Sequence, residues 1–155
     1  MTYKSEIGKI GEDLACDYLK SQKYKIIGRN LRQKWGELDI VAKDPGDILV
    51  FVEVKTMRSR CKIGIPTSLS ENSNGASRQS GNAQNKSGNA ANELRPEDNL
   101  TTAKSKKLKK AAILYAGHNQ NLIDDKKGWR IDLIAITLLG NLENNEYQLN
   151  HYENI

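Results

Sequence analysis

The 155 residues contain only two cysteines and two histidines. Cys16 and Cys61 have no metal-ligand spacing with each other or with His118 and His151, so a zinc centre is not expected. They read instead as free thiols of a reducing compartment. No apolar run approaches the roughly 18 residues of a membrane-spanning helix. The opening Met1-Thr2-Tyr3-Lys4-Ser5-Glu6 lacks the apolar stretch of a secretion signal, so the expected location is the cytoplasm. What is present is an ordinary globular composition, 37% hydrophobic and 28% charged. The chain is long enough for one domain with a real core.

The formal charge is +5. Residues 68–99 hold three basic side chains (Arg78, Lys86, Arg95) and four acidic ones (Glu71, Glu93, Glu97, Asp98), a net −1, which leaves +6 on the other 123 residues. The positive excess therefore belongs to the folding part of the chain and suits a polyanionic partner. Within 68–92, Ser, Asn and Gly fill 15 of 25 positions, and Ser-Gly-Asn-Ala occurs at Ser80–Ala83 and again at Ser87–Ala90. The repeat places no apolar residues at heptad positions, which excludes a coiled coil. Such a segment cannot bury enough surface to offset its ordering entropy. The expectation is a single domain over 1–155 interrupted by a flexible low-complexity insertion at about 68–99.

Hydrophobic spacing predicts an amphipathic helix over 5–21, with Ser5 as N-cap and Ile7, Ile10, Leu14, Ala15, Tyr18 and Leu19 on its apolar stripe. Glu12 falls at the border of that stripe. Gly8 and Gly11 lower helix propensity and point to a close backbone approach. Three strands are predicted at 24–33 (interrupted near Gly28), 37–43 and 48–55. The turn signal Asp44-Pro45-Gly46-Asp47 joins the last two into a hairpin. Structure resumes with a helix capped by Thr101 or Thr102 and stopped at Gly117. A strand over 129–138, running from sheet edge into core, and a short strand over 146–152 follow. The fold class is α/β.

The chemistry concentrates in Gly36-Glu37-Leu38-Asp39 and, after the buried run Ile48-Leu49-Val50-Phe51-Val52, in Glu53-Val54-Lys55. Glu53 and Lys55 share a strand face. Asp39 joins that face only if paired residues of the hairpin sum to an even number, as 39 with 53 would; a one-residue slip separates them. Two carboxylates can hold Mg²⁺ and a lysine can offset developing negative charge, as phosphodiester hydrolysis requires. The same pattern also fits a surface cross-strand ion pair. Glu12 could join the cluster or stay a solvated carboxylate at a helix edge, and Glu37 reads as an exposed edge carboxylate. Lys104, Lys106, Lys107, Lys109 and Lys110 form a cationic helix face that would either grip phosphates or simply be solvated. Arg58, Arg60 and Lys62 follow Lys55, and Arg29, Arg32 and Lys34 add to the positive field. Trp35 could stack on a base or pack. Arg130 and Asp132 suit a structural pair.

Taken together, Gly8-x-x-Gly11-Glu12-x-x-Ala15, Asn30-x-Arg32, Gly36-Glu37-x-Asp39, Phe51-Val52-Glu53-Val54-Lys55, Gly64, Lys104 and Arg130-x-Asp132 resemble the YraN-type family of small bacterial proteins. That family is similar to archaeal Holliday-junction resolvases. The resemblance covers about 5–67 and 100–153. It implies a restriction-endonuclease-like α-β-β-β-α-β core with a mixed central sheet. It also implies Mg²⁺ or Mn²⁺ ligation by Asp39 and Glu53, Lys55 as catalytic lysine and Glu12 as an additional acid. The expected activity is endonucleolytic cleavage of structured or branched DNA by a homodimer, with Arg32, Arg58, Arg60, Lys104 and Lys107 among the DNA-binding residues. The insertion at 68–99 and Met57, where an arginine is usual, depart from the pattern without touching the four presumed catalytic positions. The rival readings are a non-catalytic nucleic-acid-binding protein of the same fold, or an enzyme acting on RNA or a nucleotide.

Overall fold

The computed structural model describes residues 3–59, 101–139 and 146–155. The expected insertion at 68–99, together with Arg60, Cys61, Lys62 and Gly64, lies outside the described residues. The elements follow in the order α1 (Tyr3–Ser21), β1 (Lys25–Gln33), β2 (Gly36–Lys43), β3 (Leu49–Arg58), α2 (Thr102–His118), β4 (Trp129–Leu138) and β5 (Tyr147–Tyr152). This is an α/β fold with the predicted α-β-β-β-α-β order and one further strand.

The five strands lie in the order β1-β2-β3-β4-β5. β3 and β4 are parallel and the other neighbours are antiparallel, so the sheet is mixed. A parallel pair cannot be closed by a tight turn, and α2 lies in the long connection between β3 and β4. β4 is not an edge strand: β3 flanks it on one side and β5 on the other, which is why Leu133, Ile134, Ala135 and Ile136 are all buried.

The helices cover opposite faces of the sheet. Ala15, Cys16 and Leu19 of α1 pack with Ile40, Ala42, Val50, Val52, Val54, Ile134 and Ile136. Leu108, Ala111, Ala112 and Ala116 of α2 pack with Leu38, Val41, Leu49, Phe51 and Ile131. Alternation along β3 therefore assigns its even-numbered valines to α1 and its odd-numbered residues to α2. Phe51 is fully buried and meets Tyr115 and Trp129 edge-on at 5.7 and 5.5 Å. Burial of such a ring contributes about 1.5–3 kcal/mol, and each aromatic contact about 0.5–1.5 more.

Several boundaries differ from the sequence reading. α1 begins at Tyr3, so Ser5 lies in its first turn and not at its cap. Thr101 caps α2, its hydroxyl accepting from the Lys104 N–H at 3.3 Å. The helix runs through Gly117 to His118 because Asn119 closes it, its side-chain amide donating to the Tyr115 carbonyl at 2.8 Å and its N–H to Ala116 at 3.1 Å. Gly11 meets the expected neighbour: a Cβ there would overlap the Thr56 side chain of β3. Nothing stands within 4 Å of a Cβ at Gly8. Cys16 is a buried free thiol, and burial pushes its pKa up. Among the described residues no helix is long and apolar enough to cross a membrane.

Candidate active site

The β2–β3 hairpin sets the geometry. Asp44 accepts from the Ile48 N–H at 2.9 Å, and Asp47 takes the left-handed conformation (φ 65°) that closes the turn. The resulting register pairs Lys43 with Leu49, Ala42 with Val50, Val41 with Phe51 and Ile40 with Val52, so partners sum to 92. This is the even register, and the charge of Glu53 acts on Asp39 just beyond the last pair.

Pairing between β2 and β3 stops at Ile40–Val52, whereas β3 stays paired to β4 as far as Arg58–Leu138. The hairpin thus opens into a fork with Asp39 and Glu53 at its base. Asp39 accepts from the Val54 N–H at 2.8 Å, taking a backbone donor that faces β2 beyond the last ladder pair. Its other oxygen has no hydrogen-bonding partner among the described residues. β2 bends at the same point. Leu38 and Val41, three apart, both pack on the α2 side, so strict alternation is broken beside Asp39. Across the ladder, Asn30 is bracketed by the pairs Arg29–Ile40 and Leu31–Leu38 and holds a left-handed conformation (φ 48°) that Asn tolerates.

Glu53 is buried, its side chain 6% exposed, and ion-pairs with Lys55 and with Lys104, the latter at 3.2 Å. Burial, reinforced by the charge of Glu53, pushes the Asp39 carboxyl up to about 6 against the Val54 hydrogen bond and the charge of Lys55. Burial also lowers Lys55, with Lys104 adding to the push, although Glu53 pulls it upward. Two ammonium groups share one carboxylate, and the more deeply placed one gives up its proton more readily.

The other predicted residues divide between this cluster and elsewhere. Glu12 arrives from the α1 side and does not join the two carboxylates. Its Oε2 accepts from the Asn30 side chain at 2.6 Å, and its charge adds to the upward push on Asp39 as the weakest of the causes. Next to it, Arg29 donates to Asp13 at 2.6 Å, so consecutive residues of β1 hold consecutive residues of α1. Glu37 pairs with Arg32 at 3.3 Å on the exposed surface, apart from the site. Lys106, Lys107, Lys109 and Lys110 are exposed along α2, and Arg58 is half-buried at the end of β3. Trp35 is half-buried and stacks on His118 with ring centroids 5.2 Å apart.

Arg130 and Asp132 do pair, at 3.0 Å, within a network the sequence did not disclose. Arg130 also donates to Asp44 at 2.6 Å and to the Tyr24 hydroxyl at 3.0 Å. Asp132, fully buried, accepts from the Asn154 N–H at 2.9 Å and lies 3.1 Å from His151 Nε2. Burial alone would raise Asp132, but these contacts hold it below the usual carboxylate range. Every charge in this network is partnered, which fits a structural role.

Fold and site together define an α/β protein whose central hairpin opens onto a cluster of two acids and two lysines. Residues 11–136 match the uncharacterised protein family UPF0102. The chain is 32% identical over 149 residues to the UPF0102 protein of Thermodesulfovibrio yellowstonii, covering 96% of this chain and 94% of that one. It is 48% identical over 66 residues to the UPF0102 protein of Syntrophus aciditrophicus (43% of this chain, 50% of that one). It is 52% identical over 64 residues to that of Caldicellulosiruptor saccharolyticus (41% and 52%). The match thus spans about half the length of the latter two relatives. The chain belongs to family UPF0102, in agreement with its resemblance to the YraN-type proteins.

Proposed function

We propose that the protein is a metal-dependent endonuclease acting on structured or branched DNA. The observation that carries this reading is the fork itself. It brings two carboxylates near each other, one of them held at a pKa of about 6, with a lysine pressed against the other. Like charges placed together out of water work against stability unless a cation joins them. The donor set suits a hard divalent ion: two carboxylates, with one oxygen of Asp39 unpartnered among the described residues. Among the described residues no three His, Cys, Asp or Glu side chains converge. Mg²⁺ commonly keeps its waters and is held by one or two carboxylates plus substrate phosphates.

Asp39 and Glu53 would hold Mg²⁺ or Mn²⁺, which supplies an acidified water and neutralises phosphoryl charge. Lys55, seated on Glu53, lies where it can orient the attacking water or offset charge on phosphorus. Glu12, held by Asn30, would act on the site through its charge on Asp39. The exposed lysines of α2 lead away from the site and suit a sequence-independent grip on phosphates. Symmetric cleavage of a branched substrate needs two such sites, and the proposed active species is a homodimer.

The purified protein should nick or resolve a four-way DNA junction in Mg²⁺ or Mn²⁺. Asp39→Asn and Lys55→Ala should each reduce the rate at least about a hundredfold. Cleavage undiminished in both variants would assign the activity to a contaminant. Junction binding without cleavage would make the protein a non-catalytic binder.

A further inference from the structure

Lys104 stands apart from the lysine run to which its sequence assigns it. Its neighbours on α2 are exposed, but Lys104 reaches down to Glu53 at 3.2 Å. Glu53 already has Lys55, whose side chain is 12% exposed and which sits two residues away on the same strand face. The Lys104 side chain is 53% exposed. It also stands in the first turn of α2, where a positive charge opposes the helix dipole and is compensated here by the Glu53 carboxylate. One carboxylate thus holds a fixed ammonium group and a loose one, and the loose one lies between the acids and the phosphate-gripping face of α2.

We propose that Lys104 is the exchangeable cation of the site: it occupies Glu53 until a divalent ion takes that carboxylate, and then transfers its charge to a substrate phosphate. This rests on the metal-dependent reading above and adds a division of labour between the two lysines. Lys55 stays with Glu53, and Lys104 moves. Because an ammonium group on Glu53 competes with an incoming cation, removing it affects ion binding and turnover in opposite directions.

The test compares the full chain with Lys104→Met, which keeps length without charge, and Lys104→Arg, which keeps charge. The measurements are calorimetric titration with Mn²⁺ and cleavage of a junction at saturating Mn²⁺. Lys104→Met should bind Mn²⁺ about threefold tighter or more and turn over about tenfold more slowly or worse. Lys104→Arg should stay near wild type in both. A residue that merely supported the fold would not tighten ion binding when removed. Unchanged Mn²⁺ affinity in Lys104→Met overturns the exchange, and unchanged turnover overturns the transfer to phosphate, even where the wild type binds Mn²⁺ and cleaves. A wild type that binds no Mn²⁺ overturns the metal-dependent reading and this inference with it.

Discussion

Asp39 is a carboxylate whose surroundings disfavour its charge. Its folded pKa of about 6 lies above the ordinary value of 3.8, so the folded protein holds this proton more tightly than the unfolded chain does. The stability gained from the neutral form is complete below the ordinary value and is lost as pH rises through about 6. Asp39→Asn keeps an oxygen for the Val54 N–H and removes the charge. In EDTA at pH 8 it should therefore stabilise the fold by about 1–3 kcal/mol, with little gain at pH 4. Urea unfolding at the two pH values measures this, and a destabilised variant at pH 8 would refute the stated cause. Asp39, Glu53 and Lys55 were legible in the sequence because all three lie within one hairpin, where spacing along the chain determines proximity. Lys104 was expected from the sequence as a phosphate-binding residue, but its contact with Glu53 was not legible, because it reaches that carboxylate from a separate helix. The Asn30–Glu12 bond was also hidden, because it depends on a left-handed residue in the middle of a strand.

At the scale of elements, the turn at Asp44–Asp47 fixes the register, and the register makes the acid pair. The turn signal gave the hairpin, but its register stayed open in the sequence, and the observed pairing is the even one. The bend beside Asp39 was not legible. Simple alternation places Leu38 and Ile40 on one face, but they pack on opposite faces, and the β1 residue across from them, Asn30, is in the left-handed conformation. The placement of α1 depends on Gly11. Its contact with Thr56 brings the helix close enough for Glu12 to approach the fork from the far layer. Gly11→Ala gains about 1 kcal/mol of helix propensity but forces a methyl group into a stiff β-branched side chain on a central strand. Overpacking of this kind costs about 1–3 kcal/mol. The variant should be less stable than wild type in urea, whereas Gly8→Ala, with open space, should be equally or more stable. Equal stabilisation by both would remove the close approach from the account.

Across the whole molecule, two clusters of charge lie within one sheet and differ in kind. Arg130, Asp132, Asp44, Tyr24, His151 and Asn154 form a network in which each charge meets its opposite. It ties the β2–β3 turn and the start of β1 to β4 and the residues after β5. Asp39, Glu53, Lys55 and Lys104 also balance in sign, but Asp39 pairs with neither lysine and keeps an oxygen free among the described residues. The first arrangement stabilises the fold, and the second is where we propose that a cation and a phosphate bind. The overall α/β architecture was legible from alternating helix and strand patterns, whereas the His151–Asp132–Arg130 network links residues too far apart in sequence for any spacing rule. The most direct measurement is anomalous diffraction from crystals soaked in Mn²⁺ at pH 8, where Asp39 is ionised. The account predicts a single strong peak between the Asp39 and Glu53 carboxylates, at roughly 2.0–2.2 Å from an oxygen of each. No peak there at millimolar Mn²⁺, with Lys55 and Lys104 still seated on Glu53, would contradict it.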